Sequence, residues 1–192
     1  MDTEENWEQR WQDGRTGWDR GASSPALTHW LDSNAVLGRV LVPGAGSGYE
    51  VVALARCGFM VTAIDLAPSA ITRLRQHLEQ ANTTAELVQA DMLEWQPDQP
   101  FDTIYEQTSL CALAPRHWPV YQSQLASWLR PGGSLLAQFM QTERPGGPPW
   151  DCPMPVMREL FSNQRWIWPD HNPARIDHPA GIHELSIRLQ RY

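Results

Sequence analysis

From Gly38 onward, short apolar and β-branched runs alternate with longer stretches whose apolar residues recur every three or four positions, the pattern of βαβ units around a parallel sheet. Arg39–Val42, Met60–Ile64, Glu86–Gln89, Asp102–Glu106 and Ser134–Met140 read as five successive strands. Between them, Ser69–Gln80 carries Ile71, Leu74 and Leu78 at helical spacing. Val120–Leu129 does the same with Leu125, Trp128 and Leu129 before Arg130-Pro131-Gly132-Gly133 stops it. Ser24-Pro25 forms a cap and first-turn pair for a helix running to about Ser33. The last quarter differs: Pro145–Pro149 must be a loop, Pro153–Phe161 reads as a short helix, and closing strands are expected near Arg165–Trp168 and Glu184–Arg191. With no internal repeat and no disordered linker, residues 1–192 are expected to form one doubly wound α/β domain, with residues 1–24 as an N-terminal cover.

The cover is expected because Trp7, Trp11 and Trp18 are three of the ten tryptophans in the chain, and Trp is expensive to leave exposed. The formal charge of -7, from 15 Lys and Arg against 22 Asp and Glu, argues against nucleic acid as a partner and suits a cationic ligand. Cys57, Cys111 and Cys152 are widely spaced and odd in number, which suggests neither a disulfide framework nor a zinc ribbon and fits a reducing cytoplasm. Met1–Arg10 is acidic and polar, and no stretch approaches ~18 consecutive apolar residues, so neither export nor membrane insertion is expected. His171, His178 and His183 with Asp170 and Asp177 are better explained by loop composition than by a metal, and no metal is expected.

The strongest local signal is the run Val40-Leu41-Val42-Pro43-Gly44-Ala45-Gly46-Ser47-Gly48, a strand entering a glycine loop ahead of a helix that begins near Tyr49. Such a loop lets a ligand edge approach the main chain at a helix N-terminus. The second strand ends in Ile64-Asp65-Leu66, where the Asp65 carboxylate stands beside the loop and can accept hydrogen bonds from both hydroxyls of a ribose. Tyr49 occupies the place of a dinucleotide fingerprint's third glycine, and no Lys-Ser or Lys-Thr follows, so the loop is poorly built for phosphates. After the third strand, Asp91 and Met92 offer a carboxylate and an apolar face for an adenine. This triple is the usual arrangement of class I methyltransferases that use S-adenosylmethionine (SAM). Asp102, at the start of the fourth strand, reads equally well as a sheet-end solvating charge.

The leader Trp7-Glu8-Gln9-Arg10-Trp11-Gln12-Asp13-Gly14-Arg15-Thr16-Gly17-Trp18-Asp19-Arg20-Gly21 resembles the opening of the thiopurine S-methyltransferase family, closest to its plant thiol and halide methyltransferase branch. The likeness continues through Leu41-Val42-Pro43-Gly44, Cys111-Ala112-Leu113 and Gly146-Gly147-Pro148-Pro149-Trp150. It implies a seven-stranded, mostly parallel sheet with the last strand antiparallel and a leader folded over bound SAM. On matching positions, Trp7, Trp11, Trp18, Gly44, Ala45, Gly46, Asp65, Leu66, Asp91 and Met92 would line the cofactor site. Trp7 and Trp11 share a helix face, as a cover over a sulfonium requires; alternatively, the rings only staple the leader to the sheet.

Two departures from the family pattern bear on the site. Relatives place Arg or Tyr after the fourth-strand carboxylate, where this chain has Gln107, carried over as a cofactor contact. Relatives in the halide branch carry Tyr near the end of strand five, where Met140 stands, which disfavours a halide and favours a bulkier or softer thiol. Methyl transfer from a sulfonium is an in-line displacement needing alignment and water exclusion more than acid–base groups. Met140 and Trp150 are the candidate pocket residues, and Asp13 or His117 the candidate proton acceptors. The expected function is SAM-dependent methylation of a small thiol. Alternatives are another small acceptor, such as tellurite, selenide, halide, an amine or a carboxylate, or a SAM-binding protein without turnover. The sequence leaves the oligomeric state open.

Overall fold

Apolar density sets the middle of the sheet. β1 (Arg39–Pro43) buries Val40, Leu41 and Val42, and β2 (Met60–Asp65) buries Val61, Ala63 and Ile64, near-continuous runs typical of parallel strands covered on both faces. In the computed structural model, which describes residues 6–192, they pair in parallel with each other and with β3 (Glu86–Gln89) and β4 (Phe101–Gln107). β5 (Leu129–Gln141) continues the parallel set, and β8 (His183–Arg191) closes it antiparallel to β5. The order is β3-β2-β1-β4-β5-β8-β6, with β6 (Trp166–Ile167) and β7 (Ala174–Asp177) both antiparallel to β8. The first five residues of the expected cover lie outside the described residues.

The helices divide between the faces. α2 (Pro25–Asp32), α3 (Tyr49–Arg56) and α4 (Pro68–Gln80) put Leu27, Trp30, Val51, Leu54, Leu74 and Leu78 into one apolar layer. α5 (Ser109–Ala112), α6 (Trp118–Trp128) and α7 (Met154–Leu160) put Cys111, Tyr121, Trp128 and Met157 into the other. The expected Ser24 cap forms, its hydroxyl accepting from the Ala26 amide at 3.3 Å with Pro25 in the first turn. α1 (Trp7–Gln12) starts the leader and has no fully buried residue. No helix among the described residues is long and apolar enough to cross a membrane.

Three details depart from the sequence pattern. β5 starts at Leu129 rather than Ser134: Leu129 pairs with Phe101, and the ladder slips through Arg130–Gly133 before resuming at Ser134 opposite Thr103. α5 follows β4 directly and was not anticipated. The edge position beyond β8 is split into two short pieces, β6 at one end and β7 at the other, so eight strands occupy the seven positions expected.

Candidate active site

The order reverses between β1 and β4, so the loops after these strands frame a crevice at the C-terminal edge of the sheet, where open α/β folds bind ligands. The loop after β1 is tied on every side. The Ala45 amide donates to the Ile64 carbonyl at 3.1 Å and the Gly46 amide to Asp65 Oδ2 at 2.9 Å. The other Asp65 oxygen accepts the Ala67 amide at 2.9 Å. Asp65 is therefore the keystone between β2, the glycine loop and the entry to α4, and burial raises its carboxyl above the usual value against those amide bonds. Gly44 sits in the left-handed region, and a Cβ there would lie 2.4 Å from Ser109 Oγ. The Ala90 amide donates to the Asp65 carbonyl at 3.1 Å, which sets Asp91 and Met92 next along the same edge. Asp91 Oδ1 accepts the Leu93 amide at 2.8 Å, and Met92 packs on the β4–β5 core. Leu66 is half exposed.

The leader lies on this loop. A Cβ on Gly46 would find Trp11 at 3.7 Å and Trp18 Nε1 at 4.0 Å. Trp18 stands edge-on to Trp7 and Trp11, with ring centroids 5.5 and 5.7 Å away, and Arg10 lies 5.4 Å from the Trp7 ring centre. Polar groups fix the leader at three places. Glu8 accepts the Ser69 amide at 2.9 Å and its hydroxyl at 2.6 Å, capping α4. Asp19 accepts the Ser47 hydroxyl, and Arg20 reaches the last strand, donating to the Asp177 carbonyl at 2.8 Å and to Glu184 at 3.4 Å. Trp18, Asp19 and Arg20 join Gly44, Gly46 and Gln107 around a cleft of about 50 Å³. A bound small molecule ordinarily takes several hundred, roughly 300–1,000 Å³. Any adenosine-sized ligand must therefore displace part of the leader.

Beneath the cleft runs a chain of hydrogen bonds with one direction. The Ser24 hydroxyl donates to Gln138 Oε1, Gln138 Nε2 to the Tyr105 oxygen, and Tyr105 to Gln107 Oε1, each at 2.8 Å. Gln107 Nε2 then faces both oxygens of Glu184 at 3.3 and 3.4 Å. Glu184 is fully buried, and burial pushes its carboxyl up to about 7 against the opposing pull of Arg20 and Gln107. Glu50, which accepts the Ser24 amide at 2.8 Å, is likewise raised by burial. On the other face of β4, Glu106 accepts the Leu110 amide at 2.7 Å and leaves its second oxygen without a partner; burial raises it to about 7. None of these three carboxyls, nor Arg20, was singled out from the sequence. The available signal was a charged residue inside an otherwise apolar strand, at Glu106 and at Glu184.

Both carboxyls hold a proton more tightly in the folded chain than in the unfolded one. Their contribution to stability is therefore lost as pH rises from the ordinary carboxyl value of 4.5 through about 7. Glu106→Gln keeps an acceptor for Leu110 and removes the charge. Relative to wild type, its melting temperature is expected to gain several degrees between about pH 5 and about pH 8, worth roughly 3 kcal/mol at full ionisation. A difference that stays constant with pH contradicts the assignment.

The remaining sequence candidates fall into separate places. Met140 is buried, stands opposite Glu184 in the β5–β8 register, and accepts the Cys152 amide at 2.8 Å through its carbonyl. The Trp150 amide donates to the Cys111 carbonyl at 2.7 Å, so the segment bearing Trp150 and Cys152 closes over the ends of β4 and β5. Asp13 is exposed and bound to Gln9 and Arg15, away from the cleft lining. His117 ends the 3-10 turn Pro115–His117, half-buried and also outside that lining. Asp102 is a sheet-end charge: it accepts the Arg39 amide at 2.8 Å and pairs with Arg130 at 2.5 Å, at the opposite edge from the cleft. Buried Cys111 and Cys152 have thiols raised far above the ordinary value by burial, the reverse of an activated nucleophile. Among the described residues, no three His, Cys, Asp or Glu side chains converge as a metal site.

Comparison with known proteins matches this arrangement. A family profile described as thiopurine S-methyltransferase matches residues 2–179. Thiocyanate methyltransferase 1 of Brassica oleracea is 34% identical over 162 residues, which cover 82% of this chain and 72% of the relative. A probable thiol methyltransferase 2 of Arabidopsis thaliana is 34% identical over 149 residues, covering 76% and 66%. Among solved structures, the 1,6-didemethyltoxoflavin-N1-methyltransferase of Burkholderia thailandensis, bound to S-adenosylhomocysteine, superposes with a TM-score of 0.77 at 22% identity, covering 95% of this chain and 84% of that one, a likeness of fold. Glycine loop, β2 carboxylate, tryptophan leader and profile agree: the chain belongs to the thiopurine S-methyltransferase family.

Proposed function

We propose that this chain moves the methyl group of SAM to the sulfur of a small thiol. The observation that carries the reading is the leader seated on the glycine loop, with Trp11 and Trp18 over Gly46 and Asp65 holding the loop from below. SAM supplies an electrophilic methyl on a sulfonium sulfur. The residues present fit it: Gly46 has no side chain to hold a ligand edge off the loop and is faced by the Trp11 and Trp18 rings of the leader, and Gly44 and Ala45 line the cleft. Asp65 and Leu66 would take the ribose side, Asp91 and Met92 the adenine, and Gln107 the methionine end. Trp7, Trp11 and Trp18 would shut water from the sulfonium, where aromatic faces also favour a cation.

Met140 and Trp150 would shape the acceptor pocket. Asp13 and His117 become weaker candidates for a proton acceptor, because neither lines the cleft nor is hydrogen-bonded to a residue that does. A small-molecule acceptor, a single domain, a cytoplasmic location and no nucleic-acid partner complete the reading; the charge of -7 and three free cysteines support it.

Trp11→Ala tests the cover. It is expected to weaken SAM binding about tenfold by calorimetry with a melting temperature within a few degrees of wild type, because α1 contributes no fully buried residue. A collapsed melting temperature would favour the staple instead. The transfer itself is tested by S-adenosylhomocysteine release, expected to require an added thiol; release at the same rate without one would sink the assignment.

A further inference from the structure

Four observations converge on the last strand. Glu184 is fully buried directly behind two residues of the cleft lining, Arg20 and Gln107. It stands opposite Met140 across the β5–β8 ladder. The chain from Ser24 through Gln138, Tyr105 and Gln107 donates in one direction and ends on it, so donors face both Glu184 oxygens. All three of its side-chain contacts are long, at 3.3 to 3.4 Å, which leaves the carboxylate poorly satisfied for a buried charge.

Resting on the S-methylation reading above, we infer that Glu184 takes the proton of the methyl acceptor, so that the site serves acceptors arriving neutral and protonated, ordinary thiols, rather than ready-made anions. The S–H bond of the acceptor breaks and its proton passes to a Glu184 oxygen. The freed sulfur pair forms the new S–CH₃ bond as the methyl's bond to the sulfonium sulfur breaks, and S-adenosylhomocysteine leaves with that electron pair.

The charges around the cleft agree. Among the described residues, Arg20 is the one cation in its lining, and it is engaged by Glu184 and the Asp177 carbonyl, while Asp19 and Glu50 line the same space. An acceptor that is already an anion meets carboxylates with no uncommitted cation in that lining; a thiol meets a base. Arg20 also belongs to the leader, so closure of the leader is what brings a positive charge onto Glu184 and favours its ionised form. The other groups near Glu184 are Gln107 and Tyr105 on β4, Glu106 on the far side of the same strand, Cys111 on α5 and Glu50 on α3. Its carboxyl, raised to about 7, is matched to proton transfer near neutral pH.

The test is kinetic, on the full chain with SAM as donor and two kinds of acceptor: a neutral alkyl thiol, and thiocyanate or iodide. Glu184→Gln keeps the shape and an acceptor oxygen but cannot take a proton. The expected result near pH 7 is a loss of roughly a hundredfold in kcat/KM for the thiol. Transfer to thiocyanate or iodide, however slow, should fall far less than transfer to the thiol, so that the ratio of the two separates proton transfer from any disturbance of Gln107 at the cofactor. The thiol pH profile should rise near pH 7 in wild type and move toward the acceptor's own value, roughly 8.5, in the variant. Equal losses for both acceptor kinds would overturn the inference and make Glu184 a positioning residue. Loss of SAM affinity alone would make it a cofactor contact. Thiol turnover unaffected by the substitution would overturn this inference and leave S-methylation standing, whereas no transfer to any thiol by the wild type would overturn both.

Discussion

Asp65→Ala is expected to weaken SAM binding at least a hundredfold, measured by calorimetry. The carboxylate accepts the Gly46 amide at 2.9 Å and the Ala67 amide at 2.9 Å, and in the proposed function it also takes the ribose. A hydrogen bond to a charged group is worth roughly 1.5–3 kcal/mol, and two such bonds hold the loop in the shape a ligand would meet. Losing both frees the Gly46 amide while removing the ribose partner, so the two effects compound. Asp65→Asn is the sharper control, because its amide nitrogen must face one of the two N–H groups as donor against donor. It should fall between wild type and Asp65→Ala. Affinity unchanged in Asp65→Ala would mean that the cofactor sits elsewhere.

Gly48→Ala is expected to cost about 2–4 kcal/mol of stability and lower the melting temperature by roughly 5–15 °C. Gly48 starts α3 in the left-handed region at φ +76°, and a Cβ there would come 1.9 Å from Leu74 Cδ1 and 2.9 Å from Leu74 Cγ. Leu74 is fully buried on α4 and has no room to retreat. This glycine therefore serves the packing of α3 on α4 as well as lining the cleft. Gly46→Ala separates the two roles: a Cβ there makes only ordinary van der Waals contact with Trp11 and Trp18, so the fold should lose only about 1–2 kcal/mol of backbone strain while SAM affinity falls. Equal melting temperatures for Gly48→Ala and wild type would contradict this division.

Legibility from sequence followed what each signal depends on. The central strands were visible because burial on both faces demands unbroken apolar runs, as in Val40–Val42. The glycine loop and Asp65 were visible because a positive backbone angle and a strand-end carboxylate are local requirements. β7 was not, since Ala174–Asp177 is short and largely exposed and becomes a strand only by pairing with β8. The four-residue α5 is too short to show a period. Arg20 and Glu184 are 164 positions apart, and their pairing depends on the leader folding back across the sheet, which leaves no local pattern. The expectation that the tryptophan leader must pack was met in part: Trp7, Trp11 and Trp18 are half-buried, stacked edge-on over the loop rather than sunk in the core.

Transfer of a labelled methyl group from SAM to a panel of small and aromatic thiols, thiocyanate, iodide, selenite, tellurite and simple amines tests the central claim most directly. S-methylated thiols as the dominant product are the predicted result, with thiocyanate and iodide well behind. SAM bound at ordinary affinity with no labelled thioether from any thiol would contradict it.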